Sequence, residues 1–332
     1  MKIAVFSTKS YDKESLEKHN IKGALSFTYF EESLNKKTTN LALGFNAVCV
    51  FVNDKLDSET IKKLAKNGIK LIALRCAGFN NIDLETAAEN KITVVRVPAY
   101  SPEAVAEQAV ALIMTLNRKT HKAYNRIREG NFSLEKLIGF NLHNKTVGVI
   151  GTGRIGEAFS KIMQGFGCKV VAYDLYENKE LLKIGVDYLP FDELIKTSDI
   201  ISLHCPLTPE THHLMNKKTF SKMKKGVMLI NTSRGALIDS ADAITALKSH
   251  KIGYLGIDVY EQEEKLFYKD LSEDIIHDDL ILRLISFPNV LITAHQGFLT
   301  KEALEQIAKI TIENISNFEK NIKTENEVLI AQ

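Results

Sequence analysis

Short β-branched runs alternate along this chain with longer stretches of helical period, and that alternation leaves few architectures open. Strands separated by helix-length connections pair in parallel, and a parallel sheet is covered by helices on both faces, so its strands read as continuous apolar runs. Two sets of runs are present. The first covers residues 2–6, 47–52, 70–74 and 93–97, with a weaker member at 24–29 and helical pattern such as Ser58 to Lys66 in between. The second covers residues 146–150, 169–173, 200–204, 227–231, 254–259 and 290–294. Each set is large enough for its own doubly wound unit, and 332 residues suit two domains at about 150 residues each.

Helix starts mark the joints. Ser101-Pro102-Glu103 places an N-cap residue, a proline at the first helical position and a carboxylate in the first turn, ahead of an apolar stripe from Ala104 to Leu116. Thr300 opens a last helix reaching about Phe318, which leaves too little chain for a further domain. That helix is expected to return to the N-terminal unit, so the expected fold class is α/β, with two Rossmann-like parallel-sheet domains and the second inserted into the first. The expected division is 1–100 with 299–332, and 101–298. The polar C-terminal tail is expected to fray.

Composition excludes several function classes. Lys and Arg number 43 against 41 Asp and Glu, a formal charge of +2, and the lysine-rich stretches are short, so neither nucleic acid nor a membrane surface is an expected partner. No run of about 18 apolar residues occurs. Cys49, Cys76, Cys168 and Cys205 stand far apart and read as buried free thiols of a reducing compartment, so a cytoplasmic location is expected.

The strongest chemical signal is Gly151-Thr152-Gly153-Arg154-Ile155-Gly156, between an apolar run and a helical pattern. Gly151 permits the tight turn, Gly153 lets a pyrophosphate approach the backbone, and Gly156 lets helix and strand pack closely, with free helix N–H groups facing the phosphates. The next run ends at Asp174, about 20 residues on, where a dinucleotide fold carries an acid for the ribose diol. A carboxylate there repels a 2′-phosphate, so the expected cofactor is NAD, with NADH preferred over NADPH.

A carbonyl reduced by hydride leaves an alkoxide that needs a proton, and histidine is suited to donate it near neutrality. Of nine histidines, His295 alone directly follows a strong strand at the edge where ligands bind in such sheets. The others, His212 and His213 among them, take ordinary structural readings, and no metal site is expected; His204 reads as a packed, hydrogen-bonded ring. Asp258, Glu261, Glu263 and Glu264 each stand where a carboxylate for His295 is needed, and spacing does not choose among them. Arg234, in a Thr-Ser-Arg-Gly turn at a strand end, suits bidentate capture of a substrate carboxylate.

Whole blocks now carry a family resemblance: Arg75-Cys-Ala-Gly-Phe-Asn-Asn81, Val95-Arg-Val-Pro-Ala-Tyr-Ser-Pro-Glu-Ala-Val-Ala-Glu107, Gly148-Val-Ile-Gly-Thr-Gly153, Asn231-Thr-Ser-Arg-Gly-Ala-Leu-Ile-Asp-Ser240 and Asp258-Val-Tyr-Glu261. Over nearly its full length the chain resembles the D-isomer-specific 2-hydroxyacid dehydrogenases, most of all the fermentative D-lactate branch. The resemblance implies a catalytic set of Arg234, Glu263 and His295, and so selects Glu263 from the four acids. It implies that Arg154, Ile155, Asp174, Cys205, Pro206, Thr232, Ser233 and Asp258 line the cofactor. It also implies that backbone N–H groups near Ala77 and Gly78, with Tyr100, hold a substrate carboxylate, with Tyr100 and Phe298 near the substrate side chain. The inserted domain would bind NAD, and the discontinuous, flavodoxin-like one the substrate. Two positions depart from the pattern: Gly297 where relatives tend to have Ala, loosening the pocket, and Thr211 where many have Asn at a cofactor contact. Reduction of pyruvate or a similar 2-oxo acid by a homo-oligomer, dimer or tetramer, is the expectation. The rivals are a 2-hydroxyisocaproate, glycerate or phosphoglycerate dehydrogenase and a catalytically idle NAD-sensing protein, which would not need the Arg, Glu and His set.

Overall fold

The computed structural model describes residues 1–329. It divides into two compact units, Met1–Ser101 with Phe298–Gln332, and Pro102–Gly297. Ser101 and Phe298 thus fall in the first unit, one residue from the expected boundaries on each side.

The first unit holds five parallel strands, β1 (Lys2–Val5), β2 (Ser26–Tyr29), β3 (Ala47–Val50), β4 (Leu71–Leu74) and β5 (Thr93–Arg96), in the order β2-β1-β3-β4-β5. The chain winds outward to one side of β1 and then to the other, which is the flavodoxin-like order. Ile3, Val5, Ala47, Cys49, Leu71, Ala73 and Val95 form the core, together with Leu16 of the helix Ser10–His19 and Ala308 and Ile315 of the helix Lys301–Glu319. The latter starts where expected: the Thr300 hydroxyl caps it by accepting from Ala303 N at 3.2 Å.

The tail beyond this helix corrects the expectation of fraying. Arg96 N donates to Asn326 O at 3.0 Å and Val328 N to Val94 O at 2.8 Å, with an antiparallel bridge between Val95 and Glu327. The tail therefore pairs with the edge strand β5 and blunts it. Its last three residues lie outside the described range.

At the end of β4, Arg75 is 1% exposed. It donates to Asp12 Oδ1 at 3.2 Å and to the carbonyls of Phe6 and Ser7 at 2.9 and 2.7 Å, and it stacks on Phe51. A buried guanidinium persists because every face of it is satisfied.

The second unit is a seven-stranded parallel sheet of β6 (Thr146–Ile150), β7 (Lys169–Tyr173), β8 (Asp187–Tyr188), β9 (Ile200–Leu203), β10 (Val227–Asn231), β11 (Ile252–Ile257) and β12 (Val290–Ile292), ordered β12-β11-β10-β9-β6-β7-β8. The winding reverses between β6 and β9. Their carboxyl ends flank the crevice where a doubly wound sheet binds its ligand. The expected strands are all present, and β8, two residues at the edge, is the addition. The helix Pro102–Arg118 buries Leu112, Ile113 and Leu116 against this sheet. Cys49, Cys76 and Cys168 are buried free thiols as expected, whereas Cys205 is only half-buried.

Candidate active site

The glycine turn shows why each glycine is needed. Gly151 has φ +94°, and a Cβ there would lie 2.5 Å from Cys205 N, so β6 and the loop after β9 touch backbone to backbone. A Cβ on Gly156 would lie 2.0 Å from Gly151 O. Gly153, extended and without a side-chain cap, precedes the helix Arg154–Gly165, and a Cβ on it would meet nothing within 4 Å. The first-turn amides therefore open onto accessible space, with Arg154 exposed and Ile155 half-buried beside them.

Asp174 stands just past β7. Its Oδ2 accepts from Thr152 N and from the Thr152 hydroxyl at 3.0 Å, and Oδ1 accepts from Tyr176 N at 3.3 Å. Tyr188 on β8 donates to the Thr152 hydroxyl at 2.8 Å, completing a brace that the glycine pattern did not announce.

Across the crevice, burial pushes the Cys205 thiol up to about 11, so it stands as a neutral wall. Pro206 is exposed, and its carbonyl accepts from the Thr211 hydroxyl at 2.8 Å. That hydroxyl also accepts from Thr208 N at 2.7 Å, so Thr211 is occupied in its own turn. After β10, Ser233 donates to Leu203 O at 2.8 Å, while the buried Thr232 hydroxyl has no partner. An orphaned hydroxyl, open first-turn amides and a braced carboxylate at the β7 end together fit a dinucleotide along this edge. Thr232, the turn 151–156 and Asp174 are the residues that would hold it.

The candidate acid–base residues and Arg234 follow the ends of β10, β11 and β12. His295, at φ +52°, presents Nδ1 to Glu263 Oε1 at 2.8 Å, with the two side chains 17% and 21% exposed. Glu263 Oε2 accepts from Tyr260 N at 2.9 Å, which fixes the carboxylate. Of the four candidate acids, Glu263 is thus the one on the ring; Glu261 pairs with His213, and Glu264 is exposed.

Asp258, 1% exposed, accepts from the Thr293 hydroxyl and from the N–H groups of Gln296 and Gly297 at 2.9 and 2.7 Å. Its own carbonyl accepts from His295 N at 2.7 Å. Burial pushes this carboxyl above the usual range against those hydrogen bonds. Expected along the cofactor, Asp258 has its carboxylate turned to residues 293–297, where it shapes the loop that carries the histidine. Gly297 is close to it: a Cβ would lie 3.1 Å from Asp258 Oδ2.

Arg234 lies in the turn after β10, half-buried, and donates to Ser233 O at 2.6 Å. Gly235 brings this turn against the next one, because a Cβ on it would sit 2.0 Å from the backbone of Tyr260. The Arg234 turn and the segment leading into Glu263 are therefore in direct contact. Tyr268, which no sequence pattern marked, donates to His295 O at 3.2 Å with its ring centroid 6.2 Å from the imidazole.

The remaining expected residues belong to the first unit. Ala77 O accepts from Arg96 at 2.9 Å and Gly78 O from Cys76 Sγ at 3.3 Å. Phe298 is buried against Phe51 and Tyr11, and Tyr100 is half-buried.

A parallel sheet in this order, with a glycine turn at its switch point and an acid–imidazole pair at neighbouring strand ends, defines an NAD-binding dehydrogenase fold. The model of the D-isomer specific 2-hydroxyacid dehydrogenase NAD binding domain matches residues 110–297. The D-lactate dehydrogenase of Escherichia coli is 53% identical over 99% of this chain and 100% of its own. A 2-hydroxyacid dehydrogenase homolog of Haemophilus influenzae is 54% identical, covering 99% of both. The solved structure of the pyruvate reductase of Chlamydomonas reinhardtii superposes with a TM-score of 0.93 at 47% identity over 98% of each chain. The chain belongs to the D-isomer specific 2-hydroxyacid dehydrogenases and is an NAD-dependent enzyme of that family.

Proposed function

We propose that the protein is a D-lactate dehydrogenase that reduces pyruvate to D-lactate. The observation that carries this reading is the His295–Glu263 pair after β11 and β12, in the same sheet whose strand β6 leads into the dinucleotide turn. NADH, which the turn 151–156, Asp174 and Thr232 would hold, would supply the hydride for the keto carbon. His295 donates the proton from Nε2 to the keto oxygen, while Glu263 holds Nδ1–H and stabilises the imidazolium form. Arg234 takes the substrate carboxylate through its planar fork and polarises the carbonyl. For the first unit we propose substrate-binding roles for the backbone of Ala77 and Gly78 and for Tyr100 and Phe298.

Asp174 makes NADH the preferred cofactor, since a second anion at the ribose 2′ position would face its carboxylate. A homo-oligomer, dimer or tetramer, working in the cytoplasm completes the proposal. The test is a substrate panel of pyruvate, 2-oxobutyrate, 2-oxoisocaproate, hydroxypyruvate and glyoxylate with NADH, read as kcat/KM and product chirality. Highest kcat/KM with pyruvate and a D product support the reading. Preference for the branched acid or for hydroxypyruvate assigns another branch of the family, and no turnover with any of them favours an NAD-sensing role.

A further inference from the structure

We propose that His212, His213 and Glu261 form a site for one divalent transition-metal ion of the zinc class. No sequence spacing marks it, because two adjacent histidines meet an acid 48 residues away only through the fold. One potential ligand atom from each of the three side chains lies within 4.8 Å of the others. Tetrahedral coordination with bonds near 2.0–2.1 Å sets ligand atoms about 3.4 Å apart, so the set closes when the exposed His212 ring turns out of its stack on His213 and aims a nitrogen at the same point.

The outer shell is already in place. A metal-bound imidazole ordinarily gives its other nitrogen to a carboxylate. Here His213 Nδ1 faces Asp239 Oδ2 at 3.4 Å, which directs Nε2 at Glu261 Oε1, 2.6 Å away. Asp239 is itself fixed, since it caps the helix Ser240–Lys248 by accepting from Asp242 N at 2.9 Å. Glu261 Oε2 accepts from the Ser240 hydroxyl at 3.1 Å, leaving Oε1 as the ligand oxygen. His213 N is tied to Ala236 O at 2.8 Å, and the His212 ring lies stacked on the His213 ring with centroids 3.9 Å apart.

Two imidazoles and one carboxylate are a donor set for borderline ions such as Zn²⁺, Ni²⁺ or Cu²⁺, and not for Mg²⁺ or Ca²⁺. His212 is exposed and the other two half-buried, so the ion has an entry path and keeps a solvent-facing position for water. A metal ion binds the unprotonated ring nitrogen, so it takes the place of the His213 Nε2 to Glu261 Oε1 hydrogen bond, and any proton there leaves to solvent. The site is distinct from the His295–Glu263 pair, and it rests on no assumption about the reaction.

Zn²⁺ titration of the intact chain against a chromophoric chelator tests the proposal. One ion per chain is expected, weakened at least about tenfold in His212→Phe, which keeps a stacked ring, and in Glu261→Gln, but unchanged in His277→Ala. Wild-type affinity no tighter than that of His212→Phe overturns it. A second readout needs no variant: Cu²⁺ bound to the wild-type chain at one equivalent should show two nitrogens in its electron paramagnetic hyperfine pattern. One nitrogen or none also overturns it.

Discussion

Replacing Glu263 by Gln keeps the shape of the side chain and an acceptor for His295 Nδ1, removes the charge, and sets an amide NH2 where Oε2 accepts from Tyr260 N, a loss that is the same in both backgrounds of the cycle below. The contact is 2.8 Å long between side chains 17% and 21% exposed, so it lies between a surface pair and a fully desolvated one. A hydrogen bond to a charged group contributes about 1.5–3 kcal/mol and a neutral one about 0.5–1.5, so the difference is about 1–2 kcal/mol. If the imidazolium is what protonates the substrate oxygen, that difference enters the transition state, and kcat with pyruvate falls about 5- to 30-fold. The decisive form is a double-mutant cycle. Glu263 acts through the histidine, so in a His295→Asn background Glu263→Gln should cost less than about twofold. The assay is steady-state NADH oxidation with pyruvate in all four variants. Equal losses in both backgrounds, or no loss in the wild-type background, refute the role given to the pair.

Three further outcomes follow from other parts of the fold. Burial of the His204 ring, packed on Phe159 with Nδ1 unpartnered, lowers its pKa from 6.5 to about 3. The unfolded chain then takes up a proton that the folded one refuses, so stability is highest above about pH 6.5 and falls as pH drops toward 3, by at most about 2 kcal/mol at pH 5. Urea unfolding at pH 7 and 5 should show a smaller fall in His204→Gln, and equal falls would refute this cause. Asp174→Ala should lower the ratio of kcat/KM with NADH to that with NADPH about tenfold or more, the scale of one charge-assisted hydrogen bond; an unchanged ratio means another residue reads the ribose. Arg75→Leu leaves the buried Asp12 carboxylate without its cation and should cost about 3–5 kcal/mol in urea unfolding, much of it recovered by Asp12→Leu in the same chain. A loss under about 1 kcal/mol would mean that water reaches Asp12.

Much of this fold is legible from the chain because its strands are buried on both faces and its turns demand glycine. The runs that became β6, β7 and β10 coincide with the observed strands, and Gly151 and Gly156 sit where any Cβ would strike backbone. Strand β8 was not legible, since two residues carry no periodicity. The pairing of residues 326–328 with β5 was hidden as well, because polar sequence held by an edge strand looks the same as polar sequence in water.

In the site, His295 stood out by following a strand, yet choosing Glu263 over its neighbours needed the family resemblance. What separates Glu263 from Glu261 is a turn in which Tyr260 N seizes one carboxylate and His213 the other. Asp258 read as one more acid at a strand end, and only its burial shows a carboxylate that shapes the histidine loop. Thr211 read as a cofactor contact, and the structure uses its hydroxyl to close its own turn.

Whether the imidazole of His295 supplies the proton is read from kcat for pyruvate reduction in His295→Ala, alongside NADH affinity by fluorescence titration. With that role, kcat falls about 10²- to 10⁴-fold while NADH binding stays within about twofold of the wild type. Turnover within about threefold of the wild type would contradict it.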